Sequence, residues 1–192
     1  LKIRRADRSD PVSERRFRSE AALARDVAHP NLVRAFDIGV EGDLLYLVLE
    51  KVDGCTLTRR IEDLGPLPIA LTLSVAEALL EALEALHGAG IVHRDVKPSN
   101  VLLISGAGDG QQVKLGDLGV ARKLDAFESR LTLDENVVGT LAYLPPEILR
   151  AEEATFRSDL YSLGVTLCEA LLGRLPGGST NTLAKVLSRR RS

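Results

Sequence analysis

The run Ile91-Val92-His93-Arg94-Asp95-Val96-Lys97-Pro98-Ser99-Asn100 constrains this chain more than any other feature. Before it lies a long amphipathic stretch, about Ile69–Ala89. Its Leu71, Val75, Leu79, Ala82, Leu83 and Leu86 form one broad apolar face. Gly88 and Gly90 end that helix. After the run, Val101–Ile104 reads as a strand. The polar loop is therefore pinned between two elements that must both be buried. Within it Asp95 and Asn100 lie five residues apart, with Lys97 between them. An acidic acceptor, a cation and an oxygen donor can thus converge on one point. A further carboxylate, Asp117, follows the short strand Val113–Leu115 in Gly116-Asp117-Leu118-Gly119. Phosphoryl transfer asks for this set of groups. It needs hard oxygen ligands for Mg²⁺, positive charge near the phosphates, and an acceptor for a hydroxyl proton.

The rest of the chain divides into a strand-rich first third and a helix-rich remainder. Leu1–Arg5 reads as the end of a strand. Ser13 is a candidate N-cap for a helix running to about Val27, with Phe17, Ala21, Ala24 and Val27 on one face. His29-Pro30-Asn31 stops it. Leu32–Gly39 and Leu44–Glu50 read as strands joined at Glu41-Gly42-Asp43. The second is nearly all apolar, as suits a strand covered on both faces. After Asp53-Gly54, Leu57–Leu64 reads as a short helix. Lys123–Val138 is polar and aperiodic, which predicts a long functional loop. Leu160–Leu172 reads as an apolar helix closed by Gly173. Glu50 to Asp53 is the natural hinge, and a cleft beside it is the default ligand site. The expectation is one α+β domain with two lobes, a small strand-rich one over 1–52 and a larger helical one over 53–192.

The chain has 192 residues, 45% apolar and 27% charged, an ordinary globular balance. A net charge of −2 argues against bulk binding to nucleic acid or anionic membrane. The apolar run Leu160–Gly173 is interrupted by Glu169 and is too short to span a bilayer, so no membrane segment is expected within this chain. Cys55 and Cys168 share no metal spacing and form no disulfide framework, which points to a reducing, cytoplasmic compartment. The chain begins at Leu1 and contains no Met, so a fragment of a longer protein is expected.

The order and spacing of the polar groups resemble the eukaryotic-type (Hanks-type) protein kinase family, in a style most like its bacterial members. The loop pattern H-R-D-x-K-x-x-N is matched without a gap, and Lys97 points to the Ser/Thr branch. The resemblance implies ATP and Mg²⁺ as cofactors and protein Ser/Thr hydroxyls as acceptors. It gives Asp95 the substrate proton, Lys97 the γ-phosphate, and Asn100 and Asp117 the metal. Leu1-Lys2-Ile3 resembles the end of a V-A-I-K strand, so Lys2 would contact the α- and β-phosphates and Glu20 would pair with it. Leu47–Gly54 resembles the adenine-binding hinge, with Leu49 as gatekeeper and backbone groups of Glu50 and Val52 meeting adenine. Asp117-Leu118-Gly119 departs from D-F-G by one residue, which keeps the carboxylate and an apolar neighbour.

Gly139-Thr140-Leu141-Ala142-Tyr143-Leu144-Pro145-Pro146-Glu147 resembles the end of an activation segment, with Thr140 in the substrate platform. The resemblance also has Asp159 brace the catalytic-loop backbone. Arg94 implies regulation by phosphorylation of the segment after Asp117, at Ser129 or Thr132, because a guanidinium pairs well with a phosphate. Two other readings compete. A small-molecule phosphotransferase of the same fold typically lacks Lys97 and the segment 139–147, and both are present. A non-catalytic pseudokinase typically loses the Lys or one Asp, and none is lost. The glycine-rich strands expected before Lys2 and the last helices of the large lobe are not in this sequence. The fragment alone is therefore expected to bind ATP poorly.

Overall fold

Two small antiparallel sheets, joined by residues 50–54, frame the molecule. The computed structural model describes residues 2–5, 25–41, 44–104, 112–117, 141–150 and 152–176. The first sheet contains β1 (Lys2–Arg5), β2 (Ala35–Glu41) and β3 (Leu44–Leu49) in the order β1-β3-β2. The second contains β4 (Cys55–Thr56), β5 (Val101–Ile104) and β6 (Gln112–Leu115) in that order. The central strand of the first sheet is β3, which explains its apolar composition: it pairs with β1 from Lys2↔Leu47 to Arg5↔Leu44, and with β2 on its other edge.

The helices among the described residues are α1 (Leu57–Leu64), α2 (Ile69–Gly88), α3 (Pro146–Leu149) and α4 (Phe156–Leu172). A 3-10 turn, Pro98–Asn100, leads from the polar loop into β5. Thr56 starts α1 by accepting the N–H of Arg59 at 3.1 Å. The apolar face predicted for α2 is the one buried: Val75, Leu79, Ala82, Leu83 and Leu86 are all 1% exposed or less. They pack with Leu57, Val96, Val101, Leu103, Val113 and Leu115 into one core that spans α2, the polar loop and the second sheet. Each fully buried Leu contributes about 1.5–3 kcal/mol, so this core holds the loop firmly between α2 and β5.

Three boundaries differ from expectation. First, α4 begins at Phe156, a turn before Leu160, because Ser158 can accept the Thr155 N–H at 2.9 Å and close the first turn. Second, the strand expected from Leu32 begins at Ala35. Leu32 instead forms an isolated parallel bridge to Leu115 of the other sheet. Third, the two-residue strand β4 was not legible, because its pairing partner lies in β5, far along the chain. Gly54 just before it must be glycine: a Cβ there would sit 2.4 Å from the Leu103 carbonyl oxygen. The helix expected over 13–27 and the loop expected over 123–138 lie outside the described residues, apart from the end of the helix at 25–26. No described helix is long and apolar enough to cross a membrane.

Candidate active site

Asp159 organises the polar loop. It sits in the first turn of α4 and is 1% exposed. Its Oδ2 accepts the His93 N–H at 2.8 Å, and its Oδ1 accepts the Arg94 N–H at 2.8 Å. His87, in the last turn of α2, places Nε2 2.8 Å from the same Oδ2 and stacks on Phe156 with ring centroids 4.4 Å apart. One carboxylate thus ties α2, α4 and the loop together. The grip holds an unusual backbone: Arg94 has φ +66°, a left-handed conformation that costs a non-glycine residue energy and persists only when its surroundings impose it.

His93 carries the connection onward. It is fully buried, and its Nδ1 accepts the Asp95 N–H at 3.3 Å. The other ring nitrogen must then carry the proton, and it donates to the Gly116 carbonyl at 3.1 Å. Burial holds this imidazole below its ordinary pKa, against the opposing pull of Asp159 and Asp95. A second tie runs from the Gly116 N–H to the Asn100 carbonyl at 2.8 Å. The segment carrying Asp117 is thereby fixed to both ends of the polar loop. Asp117 itself has φ +57°, the other left-handed non-glycine residue among those described.

Asp95, Lys97 and Asn100 do converge. Asn100 donates from Nδ2 to the Asp95 carbonyl at 2.7 Å and to its Oδ2 at 3.0 Å. Lys97 Nζ lies 3.2 Å from the same Oδ2, with side chains only 17% and 12% exposed. Because Nδ2 is committed to Asp95, the carboxamide oxygen of Asn100 points the other way, where the Ser99 hydroxyl lies at 3.5 Å. That oxygen and the Asp117 carboxylate are hard donors suited to Mg²⁺.

At the linker, Glu50 donates its N–H to the Arg34 carbonyl at 2.8 Å. With the N–H engaged, the carbonyl is the backbone group of Glu50 left to meet a nucleotide base. The Glu50 side chain is also occupied. Its Oε2 accepts from the Arg34 N–H at 3.1 Å and from Lys114 Nζ at 2.9 Å. Burial pushes this carboxyl up, but the Arg34 N–H and Lys114 outweigh it and hold the pKa below its ordinary value. Val52 follows in the linker, and Lys2 lies on β1 opposite Leu47. Glu20, Leu118, Gly119, Ser129, Thr132 and Thr140 lie outside the described residues.

Residues 143–147 are tied to α4. Tyr143 donates its hydroxyl to Glu169 of α4, and burial raises the pKa of both groups. Ser162 donates to the Tyr143 carbonyl at 2.8 Å, and Ser158 donates to Glu147 at 2.6 Å. Sequence reasoning missed Lys114, His87 and this serine ladder. A signal was present for the ladder: Ser158, Ser162 and Thr166 recur every four residues along the helix, and all three are buried.

A small strand-rich sheet, a linker, and a helical body presenting Asp95, Lys97, Asn100 and Asp117 together make up the frame of a protein kinase, here in incomplete form. The Protein kinase domain model matches residues 1–191, and the chain belongs to that family. It is 41% identical to the serine/threonine-protein kinase PrkC of Bacillus subtilis over 177 residues, covering 92% of this chain and 26% of that protein. It is 39% identical over 181 residues to the serine/threonine-protein kinase PknB of Mycobacterium leprae, covering 92% of this chain and 28% of that one. The chain spans about a quarter of the length of the curated relatives it matches. Among solved structures it resembles the kinase domain of PknI from Mycobacterium tuberculosis, with a TM-score of 0.72 and 27% identity. That match covers 93% of this chain and 66% of the other.

Proposed function

We propose that this chain carries the catalytic centre of a protein Ser/Thr kinase, which transfers the γ-phosphate of ATP to Ser or Thr hydroxyls of proteins. The observation that carries this reading is the convergence of Lys97 and Asn100 on one oxygen of Asp95, with Asp117 fixed beside them through Gly116. Asp95 orients the acceptor hydroxyl and takes its proton. Lys97 offsets charge on the transferred group. Asn100 and Asp117 would hold Mg²⁺, whose charge neutralises the phosphates when it is bound. Lys2 is assigned to the α- and β-phosphates with Glu20 as its partner. The carbonyl of Glu50 and the N–H of Val52 are assigned to the adenine edge. The division at residue 52 separates a nucleotide-covering lobe, 1–52, from the catalytic lobe, 53–192. Arg94, whose backbone is held by Asp159 next to the catalytic Asp95, is assigned to a phosphorylated Ser129 or Thr132.

The test compares wild type with Asp95→Asn, both at full length, by transfer of radiolabelled phosphate from ATP to protein. The expected loss is roughly 10²–10⁴-fold, the usual contribution of a general base. Equal incorporation by the two proteins would overturn the assignment.

A further inference from the structure

Lys114 is 8% exposed, and lysine is almost never so deeply buried unless it is paired. It lies on β6 of the second sheet, yet its contacts are with the first part of the chain. Nζ meets Glu50 Oε2 at 2.9 Å and the Leu32 carbonyl at 3.3 Å. The surroundings reinforce that crossing. Asn31 Nδ2 donates to the Val113 carbonyl at 2.8 Å, the Leu115 N–H to the Asn31 carbonyl at 2.7 Å, and the Val33 N–H to the Leu115 carbonyl at 2.9 Å. Residues 31–33 are thus zipped along β6. Glu50 is held through main chain and side chain alike, with Arg34 on both and Lys114 on its carboxylate.

Two ends of the nucleotide site meet in this arrangement. Glu50 opens the linker between the sheets, and Asp117 lies three residues beyond Lys114 on the same extended segment, a span of about 10 Å. A half-buried ion pair at this point, buried on the Lys114 side, sets the linker carbonyl at one place relative to the Asp117 carboxylate. Resting on the kinase reading above, we propose that Lys114 is a positioning residue for nucleotide binding. It acts through Glu50 and holds the base-binding and metal-binding ends of the site in register. Removing its charge leaves the Glu50 carboxylate without its counter-charge and frees the linker to shift. The chemistry at Asp95 is anchored separately, through Asp159 and His93.

The test uses full-length protein, titrated with a fluorescent ATP analogue in the presence of Mg²⁺ and assayed for phosphorylation of casein. Lys114→Met is expected to raise Kd and KM for ATP by roughly 10- to 100-fold, each tenfold being about 1.4 kcal/mol of lost binding free energy. Its kcat at saturating ATP should stay within about threefold of wild type, because the interaction removed is one of binding. Lys114→Arg should restore most of the affinity, since a guanidinium can meet both the Glu50 carboxylate and the Leu32 carbonyl. Glu50→Gln should weaken binding similarly, and it reads the same pair if Lys114→Met fails to fold. Wild-type affinity in either Lys114→Met or Glu50→Gln overturns the proposal, as does a loss in kcat with KM unchanged. A wild type that binds no nucleotide overturns the kinase reading together with this one. Normal wild-type binding beside unaffected variants overturns this one alone.

Discussion

His93 shows how much one buried side chain can specify. Both ring nitrogens have partners, and those partners dictate a neutral ring with its proton on Nε2. Burial lowers its pKa in the folded state, so the unfolded chain takes up a proton more readily than the native one. The sign follows: the contribution is complete above the unfolded value near 6.5 and is lost as pH falls toward the lower folded value. The urea midpoint should therefore drop between about pH 6.5 and 5, at up to about 1.4 kcal/mol per pH unit from this group. His93→Gln should flatten that part of the profile, and equal slopes in the two proteins would count against the assignment. The sequence places His93 in the polar loop, but its link to Gly116 depends on a contact made 23 positions away.

At the scale of elements, the polar loop is a product of α2 and α4 as much as of its own residues. The apolar face of α2 was legible because a period of 3.6 residues survives in sequence, and the buried positions match it. The beginning of α4 was not, because Phe156-Arg157-Ser158-Asp159 reads as polar until one knows that Ser158 and Asp159 point inward. These two residues are buried because each finishes a hydrogen-bond network, Ser158 with Glu147 and Asp159 with the loop amides. Asp159→Ala strands the buried His93 N–H, the part-buried Arg94 N–H and the His87 ring at once. Loss of one member of such a set costs roughly 3–5 kcal/mol. Chemical denaturation should show a destabilisation of that order. Asp159→Asn, which can still accept one of the two amides, should cost clearly less.

For the whole molecule, the two sheets are joined covalently only through the linker 50–54 within the described residues, and non-covalently through residues 31–34, Glu50 and Lys114. A ligand that touches both should stabilise the fold by mass action. ATP with Mg²⁺ at 100 times its Kd should add about 2.7 kcal/mol. The unfolding temperature should rise accordingly, and chelation of Mg²⁺ should remove the rise. Asp117→Ala should remove most of it as well, because it deletes a proposed metal ligand. No rise in wild type at saturating ATP would contradict the assigned site.

The sequence by itself determined the chemistry of the loop. Asp95, Lys97 and Asn100 sit so close along the chain that a single turn brings them together, and short-range spacing survives in a linear reading. It also determined α2 and the edges of the strands around the loop, through apolar periodicity. Tertiary structure alone decided what bridges the sheets, and by which contacts Asp159, expected from the family resemblance to brace the loop, holds it. Asp159 lies 66 positions from His93, and Lys114 lies 64 from Glu50. A lysine in a strand and an aspartate in a helix have no local signature of burial. Their roles arise only when folding removes water from around them and leaves specific opposite charges and backbone groups as their partners.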